Sequence, residues 1–61
     1  MNYASHINSL KAKKNEVESD IEYEMKRPLP NFLLLSELKR RKLNLKEEIT
    51  NTLMLINRQI A

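Results

Sequence analysis

The residues of this chain that could carry out acid–base chemistry are a single histidine, His6, and a set of carboxylates. Glu47 and Glu48 are adjacent, so on a helix their side chains diverge by about 100° and do not converge on one substrate. The acidic row from Glu16 to Glu24 recurs every four residues, which is typical of a solvated or ion-paired helix face. We therefore predict a protein that is not an enzyme, with no catalytic residue, no cofactor and no metal site.

The basic block Lys39–Lys46 could instead bind phosphate groups. The chain carries eleven cationic and eight acidic residues, a net charge of +3 that permits nucleic-acid binding without arguing for it. Nucleic-acid binding is thus the alternative hypothesis. It would rest on the cations that acidic neighbours are not expected to neutralise, namely Lys26, Arg27, Arg40 and Arg58.

Composition bounds the class of protein. The chain has 61 residues, no cysteine and no glycine, which favours one small domain of long helices in a reducing compartment. The longest apolar run, Phe32–Leu35, is far shorter than the roughly 20 residues of a membrane span. The N-terminus lacks the pattern of a signal peptide. We expect a soluble cytoplasmic protein with no membrane association and no small-molecule substrate.

Apolar spacing predicts two helices. Apolar residues recur at intervals of three and four on both sides of Pro28 and Pro30. The prolines end the first helix, and Asn31 is well placed to cap the second. The predicted fold is all-α: a single domain over residues 1–61 with one helix over about 3–26, a turn over 27–31 and a second helix over about 32–60. The short turn makes an antiparallel, coiled-coil-like hairpin the simplest arrangement.

One register of the hairpin places every seam position opposite another seam position. It sets Glu24 against Leu35, Ile21 against Leu38, Leu10 against Ile49 and Tyr3 against Ile56. Lys14 and Lys42 interrupt the seam, and we expect their ammonium groups to reach nearby acids. The predicted apolar seam consists of Tyr3, Ile7, Leu10, Val17, Ile21, Leu35, Leu38, Leu45, Ile49 and Ile56.

The same register brings charges of opposite sign together beside the seam. It pairs Asp20 with Arg41 and Lys13 with Glu48. It also places Glu18 between Lys39 and Lys46. Exposed pairs of this kind contribute about 0 to 1 kcal/mol each and mainly select register. The basic block is therefore expected to neutralise the first helix of its own chain.

The second helix has more apolar residues than one seam can bury. Burial of about a dozen seam residues does not comfortably offset the conformational entropy lost when the whole chain is ordered. We therefore predict self-association, most simply a homodimer in which two hairpins form an antiparallel four-helix bundle. The expected oligomer interface consists of Met25, Phe32, Leu34, Leu53, Leu55 and Ile60, with Leu43 and Met54 further round the helix.

Two stretches resemble a known family. They read EYEMKRPLPN, over residues 22–31, and ELKRRKLNLKEEI, over residues 37–49. A proline-containing turn followed by a basic block that closes on two acids and isoleucine is similar to the YdcH-like family of small bacterial proteins, a domain of unknown function. The resemblance covers about Ile7 to Leu53. It implies a helical hairpin and an interaction role, and it supplies no catalytic residue.

The leading hypothesis is therefore a structural or protein-interaction module. It would act by forming homo-oligomers or by docking on a larger assembly, with another protein as a possible partner.

Overall fold

In the computed structural model, residues 2–60 are described, with side chains over residues 2–58. The described chain forms two α-helices and no strand: α1 (Tyr3–Met25) and α2 (Phe32–Ile60). The helices pack against each other as a hairpin measuring 50 × 16 × 14 Å. The expected all-helical fold with two packed helices is confirmed. Neither described helix combines the length and the apolar character that crossing a membrane would require.

Asparagine caps begin both helices. Asn2 Oδ1 accepts a hydrogen bond from the Ser5 amide at 3.2 Å, and Asn31 Oδ1 accepts one from the Leu34 amide at 3.1 Å. Each cap satisfies an amide that has no partner inside the first helical turn. The cap at Asn31 is the one that the sequence predicts.

The helix boundary before the turn lies one residue earlier than expected. α1 ends at Met25, and the Lys26 amide still donates to the carbonyls of Glu22 and Tyr23 at 3.2 and 3.3 Å. The segment between Lys26 and α2 contains both prolines, and the chain has no cis peptide bond among its described residues. Proline at 28 and 30 disfavours helical geometry in the residue before each, so the reversal occurs there.

The core is one stripe between the helices. Its apolar residues come from both helices, and Leu10 is the most enclosed of them, with 3% of its surface exposed. Thr52 is also buried, and its hydroxyl donates to the Glu48 carbonyl at 2.8 Å, one turn earlier. Each member of the predicted seam is buried or half-buried: Tyr3, Ile7, Leu10, Val17, Ile21, Leu35, Leu38, Leu45, Ile49 and Ile56.

Candidate interaction surface

A buried carboxylate organises the turn. Glu24 has 3% of its surface exposed, and its Oε1 accepts a hydrogen bond from the Asn31 amide at 2.9 Å. Arg27 Nη1 donates to both carboxylate oxygens, at 3.0 and 3.1 Å. The last turn of α1 therefore holds the residue that caps α2. This arrangement closes the hairpin with a side chain that sequence reasoning assigned only to the seam, opposite Leu35.

The same contacts set the charge state of Glu24. The Asn31 amide lowers the pKa of this carboxyl below 4.5, and the hydrogen bond and positive charge of Arg27 lower it further. Burial acts in the opposite direction, because it disfavours the charged form. Hydrogen bonds to the carboxylate outweigh burial, so Glu24 is ionised at neutral pH.

The seam lysines share one acid. Lys14 Nζ lies 3.8 Å from Glu18 Oε1, and Lys42 Nζ lies 3.9 Å from the same oxygen. Both ammonium groups thus leave the seam for a nearby carboxylate, as the sequence predicts. These partners differ from the sequence prediction, which sets Glu18 between Lys39 and Lys46. The half-buried lysines reach it because their side chains emerge from the seam beside it, whereas Lys39 and Lys46 lie on the exposed side of α2.

Replacing Lys42 with leucine should stabilise the hairpin. The new side chain would fill the seam with apolar surface, and Lys14 would still pair with Glu18; we expect a gain of about 1 to 2 kcal/mol in the free energy of unfolding. Urea unfolding followed by circular dichroism measures this. Lys39→Leu is the matched control, because it adds the same side chain at an exposed position. A Lys42→Leu protein less stable than the parent would contradict a simple packing role for this site.

Large apolar side chains are exposed at both ends of the rod. At the turn end these are Tyr23, Met25, Leu29, Phe32, Leu33 and Leu34. At the other end they are Leu53, Met54 and Leu55, and Leu43 lies between the two groups. Met25 and Phe32 line one groove of about 270 Å³ together with Leu35, so α1 and α2 both contribute to the surface at the turn.

The expected interface residues therefore lie in two clusters along the rod. Met25, Phe32 and Leu34 belong to the turn end, and Leu53 and Leu55 belong to the far end. The side chain of Ile60, the remaining member of that set, lies outside the described residues. Leu33 and Leu29 were not assigned to the interface from sequence. Both are exposed, and both lie away from the positions flanking the seam, where the sequence predicts the interface.

A family model described as a protein of unknown function (DUF465) matches residues 7–53 of the chain. The chain belongs to the DUF465 family. The YdcH-like resemblance is consistent with this family. The match runs from the buried Ile7 to the exposed Leu53, so it contains the turn, Glu24 and most of the seam. Comparison with curated proteins gave no match, and neither did comparison with solved structures.

In this DUF465 chain the cations expected to contact nucleic acid do not gather. Lys26 lies at the turn, Arg40 lies in the first third of α2, and Arg58 lies roughly 27 Å further along that helix. Arg27 differs from expectation, because its guanidinium binds Glu24. These positions do not form a basic patch.

The titratable residues of this DUF465 chain are also dispersed. His6 is exposed in the first turns of α1, and Glu47 and Glu48 are both exposed on α2. Among the described residues, no group of three histidine, aspartate or glutamate side chains is arranged to hold a metal ion. The distinctive feature of the surface is its set of exposed large apolar side chains.

Proposed function

We propose that this chain is a non-enzymatic structural module that works by self-association, with two hairpins packing as an antiparallel four-helix bundle. The same proposal includes docking of that assembly on a larger one. It also includes a cytoplasmic location, which is consistent with a chain that has no cysteine. The observation that carries the proposal is the exposure of large apolar side chains on a rod with a single buried stripe. Phe32 and Leu33, for example, are 75% and 73% exposed.

The amount of exposed surface supports this proposal. A compact monomer of 7.2 kDa would expose roughly 4,100 Å² by the usual scaling with mass. This chain exposes 5075 Å². The excess is close to the ~800 Å² that each partner buries in a standard protein interface. A second hairpin covering the apolar side chains would bring the exposed area per chain near the value for a compact protein.

Sedimentation equilibrium tests the proposal directly. At tens of micromolar we expect a mass of twice the 7.2 kDa of one chain. Phe32→Glu should raise the dimer dissociation constant at least tenfold, because it places a charge in an apolar contact. Leu29→Glu is the matched control: it introduces the same charge at an exposed leucine of the turn, outside the expected interface. A stable, folded monomer at tens of micromolar would overturn the proposal.

A further inference from the structure

The side of α2 that faces away from α1 carries a regular pattern. Leu33, Arg40, Glu47 and Met54 recur every seven residues, and all four are exposed. Residues seven apart lie almost one above the other on a helix, so these four form a line along α2, here called the outer ridge. Read from either end, the outer ridge runs from an apolar residue through two opposite charges to another apolar residue.

A second line of exposed residues flanks the outer ridge. Ser36, Leu43 and Thr50 also recur every seven residues, three positions after the first three ridge residues. Leu43 is 56% exposed and lies about midway between Leu33 and Met54. An apolar side chain therefore marks the centre of a pattern whose two halves are chemically complementary.

We propose that the outer ridge binds the outer ridge of a second copy of this chain, antiparallel, with the two-fold axis beside Leu43. This inference rests on the self-association proposed above but gives it a more extended arrangement than a bundle. Because the outer ridge faces away from α1, the two α2 helices pair in the middle and each α1 lies outside them. Within one helical turn, Leu33 meets the partner's Met54 and Arg40 meets the partner's Glu47. By symmetry each contact occurs twice, as a self-complementary two-fold interface requires.

Charge selects the antiparallel direction. A parallel pairing would set Arg40 against the partner's Arg40 and Glu47 against the partner's Glu47, and like charges in contact are destabilising. Within one chain, Arg40 and Glu47 are about 10.5 Å apart along the helix axis, beyond the three- or four-residue spacing at which helix neighbours pair. A partner chain is what brings the two charges together.

Burial distinguishes the outer ridge from the neighbouring positions. Leu34 follows Leu33 directly but is only 37% exposed, and it shares a groove with Tyr23 and Glu24 of α1. Arg41 follows Arg40 and lines a groove with Asp20. The residues on that side of α2 thus lie beside α1 of their own chain. On the other side, Lys39 and Lys46 would bring like charges together in a dimer.

Disulfide formation between single-cysteine variants tests the geometry, because the chain has no native cysteine. Leu43→Cys should form a disulfide with its own copy. Leu33→Cys and Met54→Cys should each fail to do so alone and should form a mixed disulfide when combined. Asn51→Cys is the control that should not cross-link: it is exposed, but its two copies would lie about 22 Å apart along the helix axes in this antiparallel arrangement. Self-linking of Leu33→Cys, or no cross-link at Leu43→Cys in a protein that is still dimeric, would overturn the inference.

Charge reversal supplies an independent test. Arg40→Glu and Glu47→Arg should each raise the dimer dissociation constant about tenfold, since two symmetric pairs become repulsive. An equimolar mixture of the two variants should recover parent affinity, because both pairs are then of opposite sign. If the mixture did not recover the parent dissociation constant, the antiparallel pairing would be wrong, although self-association itself could still be correct. A parent protein that sediments as a monomer would remove both.

Discussion

Leu10→Ala is expected to remove about half of the hairpin's stability at 25 °C. Leu10 is the most enclosed apolar residue of the hairpin. Truncating such a leucine removes its buried surface and leaves a cavity, at a cost of about 2 to 5 kcal/mol. A domain of 61 residues has only about 3 to 9 kcal/mol of stability in total at the usual value per residue. We therefore expect the thermal unfolding midpoint, followed by the helical signal at 222 nm, to fall by about 10 °C or more.

The matched control is Leu29→Ala, which removes the same atoms from a residue of the turn that is 87% exposed. Its free energy of unfolding should stay within about 0.5 kcal/mol of the parent value. Thermal melts at several protein concentrations separate the loss of the seam from any loss of dimer. Equal destabilisation by the two substitutions would show that the seam does not hold the hairpin together.

The second large effect is expected at Glu24. Glu24→Gln preserves the shape of the side chain but removes the charge that accepts from Arg27 and the Asn31 amide. At pH 7 the unfolding midpoint should fall by about 5 °C or more, the scale for losing a charge-assisted hydrogen bond in a domain of this size. Differential scanning calorimetry measures the midpoint directly.

The pH dependence distinguishes a charged Glu24 from a merely well-packed one. Its pKa is lower in the folded chain than the ordinary value of 4.5. The folded state therefore binds fewer protons, and the stabilisation by Glu24 is complete above pH 4.5 and declines as the pH falls below it. Between pH 6 and pH 3 the parent should lose more stability than Glu24→Gln.

Glu22→Gln is the control for that comparison, because Glu22 is an exposed carboxylate in the same turn of α1. It should lose as much stability on acidification as the parent does. If Glu24→Gln and the parent became unstable in parallel from pH 6 to pH 3, the carboxylate would not be the group that fastens the turn.

The two-helix hairpin could be predicted because its determinants are local. Apolar residues at intervals of three and four specify helices, two prolines specify the break, and Asn31 specifies where the second helix begins. The direction of the half-buried Lys14 and Lys42 side chains was also predictable, because a long cationic side chain in an apolar seam extends toward the nearest acid.

The role of Glu24 could not be predicted from periodicity. Its partner amide belongs to Asn31, seven residues away across a segment whose backbone geometry the helical pattern does not describe. Heptad spacing places Glu24 in the seam and correctly implies burial, but it does not reveal which group compensates the charge. The signal that would have identified this role is an acid at the last seam position before the turn. The capping residue after the turn, Asn31, has a backbone amide that needs an acceptor.

Glu24 also bears on the order in which the hairpin assembles. Residues near the turn are separated by the shortest stretch of chain, so bringing them together has the lowest loop-closure entropy. A hydrogen bond from Asn31 to Glu24 spans only that short loop and places Leu35 beside the end of α1. Folding should then nucleate at the turn and proceed layer by layer along the seam toward Tyr3 and Ile56. In that case Glu24→Gln lowers stability chiefly by slowing folding, and the rate of unfolding changes little.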